Sequence, residues 1–99
     1  MAAIEGDRVG AVYDETDDEV QFFGYGTYQG KHVPPAGVGE NTDIIHRLGI
    51  QNPKILLDNG DTVWGCQCWW GSEAAIREYL AGKKVVTVRV ADVLAGGSA

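Results

Sequence analysis

Cys66 and Cys68, separated by Gln67 and enclosed by Trp64, Trp69 and Trp70, are the residues of this chain whose types and spacing could carry chemistry. Joined by His32 and His46, the two thiolates and two imidazoles would make the donor set of a tetrahedral zinc site. A single cysteine beside one of those histidines would instead be a nucleophile, which needs an exposed thiolate next to a cation. Zinc knuckles, however, usually carry Cys-x₂-Cys spacing in a turn and neither histidine has a second partner at ligand spacing, while the nucleophile requires exposed sulfur. Period-two geometry along an extended strand places Trp64, Cys66, Cys68 and Trp70 on one face, and Val63, Gly65, Gln67 and Trp69 on the other. The first set is apolar and reads as core, where free cysteines pack as small hydrophobes. No catalytic residue, metal or cofactor is therefore expected, and a Cys/His metal site or thiol enzyme stands as an alternative. A direct Cys66–Cys68 bridge, strained on an extended strand, is not expected either.

The opposite face offers recognition. Trp69 beside Gly65 and Gln67 is a candidate shelf for a planar ligand. The run Gly24-Tyr25-Gly26-Thr27-Tyr28-Gln29-Gly30 alternates small residues with tyrosines, giving rigid amphipathic contact area beside approachable backbone. Its glycines also read as a bulge or a corner where a sheet bends. The candidate ligand residues are therefore Tyr25, Tyr28 and Trp69 for stacking, with Gln67 and Arg89 for hydrogen bonds. Arg89 is suited to an anion. No Gly-x-Gly-x-x-Gly opens a helix here and no Gly-Lys-Ser/Thr follows a strand, so phosphate cradling has no motif behind it.

These residues need a β framework. Arg8–Tyr13 and Val20–Tyr25 are rich in β-branched and aromatic residues and flank the acidic run from Asp14 to Glu19, which reads as a solvated turn in a first hairpin. From Gly26 to Asn52, glycines and Pro34-Pro35 predict a long structured loop with one or two helical turns over Thr42–Gly49. Lys54–Leu57 and Thr62–Cys68 surround Asn59-Gly60, which suits a two-residue type I′ turn placing Ile55 opposite Trp64. Ser72 caps a short helix, Glu73–Ala81, ended by Gly82. Lys84–Val90 alternates with Val86, Val88 and Val90 inward, giving a closing strand. The expectation is a mainly β, SH3-like five-stranded small barrel with its helix before the last strand. One domain covers residues 1–99, with an ordered core over about 5–93 and a loose tail over 94–99.

The chain has 99 residues and a formal charge of −6. Residues 1–30 hold seven acids against Arg8 alone, whereas residues 31–99 hold seven acids and seven bases. With no basic cluster beyond Lys83-Lys84, nucleic acid is not an expected partner. No stretch approaches the roughly 20 apolar residues of a membrane helix, and the first residues lack a secretion-signal pattern. A cytoplasmic, membrane-free setting is expected, and self-association is a further expectation for exposed aromatics.

Ala11-Val12-Tyr13-Asp14 with Asp17-Asp18-Glu19-Val20-Gln21-Phe22 resembles the opening segments of signalling SH3 domains, which implies binding of proline-rich peptides. The second tyrosine of that pattern is Glu15 here and the Trp69-Trp70 pair falls much later, so peptide binding stands as an alternative. The blocks Gly24–Gly30, Asn52–Gly60 and Val63–Gly71 together are similar to small uncharacterised bacterial and phage proteins, which implies an accessory or mobile-element role without a mechanism. The expected function is a non-catalytic small-barrel module that captures a small planar or nucleotide-like ligand, or a partner protein, through an aromatic surface.

Overall fold

The run of apolar and aromatic residues that opens the chain builds its two longest strands. In the computed structural model, which describes residues 3–36 and 40–93, β1 (Arg8–Glu15) pairs antiparallel with β2 (Val20–His32). Thr16 holds the acidic turn between them: its N–H donates to the Glu19 carbonyl at 2.8 Å, and its hydroxyl accepts from the N–H groups of Asp18 and Glu19. Next come α1 (Glu40–Leu48), β3 (Asn52–Leu57), β4 (Thr62–Trp64), a 3-10 turn over Gly65–Gln67 and β5 (Trp69–Ser72). The described chain closes with α2 (Glu73–Leu80), β6 (Val85–Thr87) and α3 (Val90–Val93). No helix among the described residues is long and apolar enough to cross a membrane. The tail expected over 94–99 lies outside the described residues.

The fold is mainly β. Among the described residues six strands, rather than the expected five, form one sheet ordered β4-β3-β2-β1-β5, with β6 added parallel to the start of β2. The sheet is not closed, because β4 and β5 stand at opposite margins without pairing. It is nevertheless strongly curled. Four strand spacings of about 4.8 Å would hold the margins of a flat sheet roughly 19 Å apart. Only residues 65–68 join them, and a 3-10 turn followed by extended backbone spans roughly 13 Å from Trp64 to Trp69.

Curling divides the apolar residues into two sets. Inside lie Val9, Ala11, Phe23, Tyr28, Ile55, Leu57 and Val63, with Trp70, Cys68, Val88, Val90 and Val93 packed against them. Outside, α2 covers Val12, Val20 and Phe22 with Ile76, Tyr79 and Leu80. Phe22 and Tyr25 face α2 although they are three apart, because a bulge near Gly24 inserts one residue and resets the alternation. α2 starts as expected, with Ser72 Oγ accepting from the Ala75 N–H at 3.1 Å.

The second hairpin corrects the sequence reading. Its loop has three residues: the Leu57 N–H reaches the Asp61 carbonyl at 2.8 Å and the Gly60 N–H reaches the Leu57 carbonyl at 2.9 Å. Only Gly60 takes positive φ, at +95°, so the type I′ turn is excluded, while Asn59 Oδ1 accepts from the Asp61 N–H at 2.8 Å. The pairing slides by one residue. Ile55 faces Val63 and Lys54 faces Trp64, and such a slip exchanges the faces of a strand, which is how Val63 comes to be fully buried. Two further expectations change. The glycine-tyrosine run belongs to β2 rather than to a loop, and the closing strand is only three residues long, although Val86, Val88 and Val90 do turn inward relative to Val85, Thr87 and Arg89.

Gly26 of β2 sits hard against the backbone of β3. A Cβ there would stand 2.3 Å from the Leu56 carbonyl oxygen and 2.7 Å from the Leu57 Cα, both backbone atoms that cannot swing aside. Gly26→Ala is expected to destabilise the fold by about 2 kcal/mol, read as a lower urea midpoint. An unchanged midpoint would refute this close packing.

Candidate functional site

Around the cysteines the backbone leaves the extended path. β4 ends at Trp64, and the 3-10 turn is pinned by the Trp64 N–H donating to Gln67 Oε1 at 3.0 Å and the Cys66 N–H donating to Asn52 Oδ1 at 2.8 Å. The period-two assignment therefore fails after Trp64. Cys66 is exposed, contrary to expectation, whereas Cys68 is half-buried against the inner core and donates to the Trp64 carbonyl at 3.5 Å. Burial, and secondarily the neighbouring Cys66, pushes the Cys68 thiol up to about 12, and burial also raises Cys66. His32 Nε2 bonds to the Gln29 carbonyl at 2.8 Å and His46 Nδ1 to the Pro34 carbonyl at 2.9 Å. Among the described residues no group of three or more His, Cys, Asp or Glu side chains is placed to hold a metal ion.

Trp64 is enclosed at 4% exposure, as expected, but on the face opposite Val63 and with Lys54 Nζ 6.0 Å from its ring centre, and Trp69 stands out at 62%, as expected. Trp70 turns inward and stacks on Tyr28, with ring centres 5.2 Å apart and planes 13° from parallel. β1 lies between their strands, so the rings meet only because the sheet curls.

Tyr28 and Trp70 line an open groove of about 1020 Å³. Its other walls are Ala3, Ile4, Asp7, Arg8, Val9, Lys31, Pro53, Gly71 and Ser72. The segment before β1 is fixed to β2 by the Gly6 N–H donating to the Tyr28 carbonyl at 2.8 Å and the Tyr28 N–H donating to the Asp7 carbonyl at 2.9 Å. Asp7 Oδ2 accepts from the Ile4 N–H at 2.9 Å. Arg8 is engaged by a fork to Asp58 at 2.6 and 2.8 Å and by Glu73 at 3.3 Å. The Asp58 carboxylate raises the Arg8 pKa, and the guanidinium in turn holds Asp58 below its ordinary range. Lys31 is exposed, and among the described residues no ion pair engages its ammonium group.

Of the five sequence-predicted ligand residues, Tyr28 alone lines this groove. Tyr25 packs edge-on against Phe22 at 5.0 Å and under the Arg77 guanidinium at 4.7 Å, on the α2 side of the sheet. Gln67 is spent on the 3-10 turn, and Trp69 is exposed on the marginal strand. Arg89 forks onto Asp61 at 2.8 Å through both Nε and Nη2, tying the C-terminal segment to the second hairpin. Sequence reasoning passed over Trp70, Arg8 and Lys31 as groove residues. A signal existed, since Arg8 and Lys31 are the two Lys/Arg residues among the first 31. No protein family, curated protein or solved structure matches this chain.

The hydrogen bonds from Arg89 hold Asp61 below the usual carboxylate range. A depressed carboxylate stabilises the fold above its unfolded pKa, and the contribution fades as pH falls through the folded value. Asp61→Asn should lower the urea midpoint at neutral pH and flatten its fall between about pH 5 and 2, with the neutral-pH difference shrinking in high salt. An acid limb identical to that of the unsubstituted protein would remove this pair from the account. A thiol reagent applied to native protein should modify Cys66 well before Cys68, as mapped by peptide mass.

Proposed function

We propose that this chain is a non-catalytic, cytoplasmic binding module of SH3-like small-barrel type, with its ligand lying in the groove over Tyr28 and Trp70. The observation that carries the reading is the stacked ring pair at 5.2 Å, set in an open groove beside the unengaged ammonium of Lys31. A planar ring continuing that stack gains about 0.5–1.5 kcal/mol beyond its buried area. An anionic substituent on the ring would meet Lys31 in a charge-assisted hydrogen bond. Small planar anions, nucleotide-like ligands among them, combine both features. The small-barrel part of the proposal draws support from the curl of the sheet and the short 3-10 connection between its margins. The non-catalytic part draws on the groove's other charges being engaged within the protein, Arg8 by two carboxylates and Asp7 by a backbone N–H. Two free thiols suit a reducing compartment. Sequestering such a ligand would suit an accessory or inhibitor protein of bacterial or phage type, a role that stands here as part of the proposal.

A second reading, contact with a partner protein or a second copy, is favoured by Trp69, 62% exposed on a strand at the sheet's margin. Tryptophan fluorescence titrated with nucleoside monophosphates and aromatic carboxylates separates the two. The groove reading expects emission to shift on binding, Lys31→Ala to weaken affinity roughly tenfold, and Trp69→Ser to leave it unchanged. Silence across the ligands, with a dimer in sedimentation that Trp69→Ser dissolves, would replace the groove reading with the contact reading.

A further inference from the structure

We propose that Cys66 and Cys68 form a reversible intrachain disulfide by exchange with a low-molecular-weight disulfide, so that the 3-10 turn is a thiol–disulfide site. The extended spacing that argues against such a bridge on a strand does not apply, because the chain is not extended at the intervening residue. Gln67, the intervening residue, is the last residue of the 3-10 turn, and the backbone becomes extended again only at Cys68, with φ −157° and ψ 169°. Residues two apart across a 3-10 turn have Cα atoms about 5 Å apart, against about 6.6 Å along a strand. Disulfides favour separations of roughly 5.5–6 Å within a range of about 4.4–6.8 Å.

The turn is held in this shape without the sulfurs. Asn52 Oδ1 accepts from the Cys66 N–H, and Gln67 Oε1 accepts from the Trp64 N–H. Oxidation would forfeit only the long Cys68 Sγ contact to the Trp64 carbonyl at 3.5 Å. Access is ordered as sequential exchange requires, with Cys66 exposed and Cys68 half-buried behind it. The two are close enough for a Cys66 thiolate to disfavour ionisation of Cys68.

In the first step Cys66 loses its proton to solvent and attacks one sulfur of the small disulfide, forming a mixed disulfide and expelling one thiolate. Cys68, deprotonated in turn, attacks the Cys66 sulfur, forming the Cys66–Cys68 bond and expelling the second thiolate. The two protein thiols are oxidised, the small disulfide is reduced to two thiols, and the two protons end on those leaving groups. The new ring would lie in the connector that sets the spacing of β4 and β5, directly before Trp69 and Trp70.

The test is incubation of the reduced full chain with glutathione disulfide at about pH 8, followed by intact mass and non-reducing peptide mapping. The expected end product is a monomer lighter by two hydrogens, with Cys66 joined to Cys68. Cys68→Ala should stop at one glutathione on Cys66, and Cys66→Ala should stay largely unmodified while keeping its circular dichroism. A lasting glutathione adduct on the unsubstituted chain, chain-to-chain dimers through Cys66, or an unchanged mass would each overturn the assignment.

Discussion

The four residues between Trp64 and Trp69 impose the shape of this molecule. They must bridge the two margins of a five-strand path, and with a 3-10 turn among them they reach roughly two thirds of the distance a flat sheet would demand. The sheet answers by curling, and its concave side gathers Val9, Phe23, Tyr28, Ile55 and Val63 out of water. For a chain of this size, which buries a smaller fraction of its surface than a large domain does, that enclosure accounts for much of the apolar burial available. The bonds from Asn52 and Gln67 that pin the turn are therefore structural even though they sit at the surface.

From the same curl follows the groove. Trp70 on one strand and Tyr28 two strands away can stack only when the sheet bends their side chains together. The chain before β1 then lies along the side, fixed through Gly6 and Asp7 to the backbone of Tyr28. Charge around this groove is settled unevenly. Arg8 is drawn to Asp58 and Glu73, joining β1 to the second hairpin and to α2, whereas Lys31 beyond the bulge in β2 projects to solvent. Arg89 does for the C-terminal segment what Arg8 does for the first strand, fastening it to the loop of the second hairpin. Both arginines thus act as ties between distant parts of the chain. The sequence offers no means of telling such a tie from a ligand anchor, because the partner carboxylates lie 50 and 28 residues away.

Local chemistry was legible where neighbours in the chain decide the outcome. The acidic turn, the Ser72 cap, the amphipathic α2 and the inward valines at 86, 88 and 90 all follow from residues within a few positions of one another. The enclosed Trp64 and the outward Trp69 were legible too, but only in part for the stated reason, since alternation does not run unbroken through the turn. Cys66 marks the failure: a strand reading hides it, and a 3-10 turn held by a side chain fourteen residues earlier exposes it. The hairpin shows the same limit, because Asn59-Gly60 is compatible with both a two-residue and a three-residue loop, and packing of Val63 against Ile55 chooses between them.

By itself, then, the sequence determined a small β-rich chain with an acidic front, a capped helix, and aromatic side chains divided between core and surface. These depend on composition and on short-range periodicity, which survive any arrangement of the strands. Tertiary structure alone decided which tyrosine meets which tryptophan, which arginine is tied down, and which thiol faces water. Each of those outcomes depends on strand order and on a one-residue choice of register, and both are set by contacts between residues far apart in the chain.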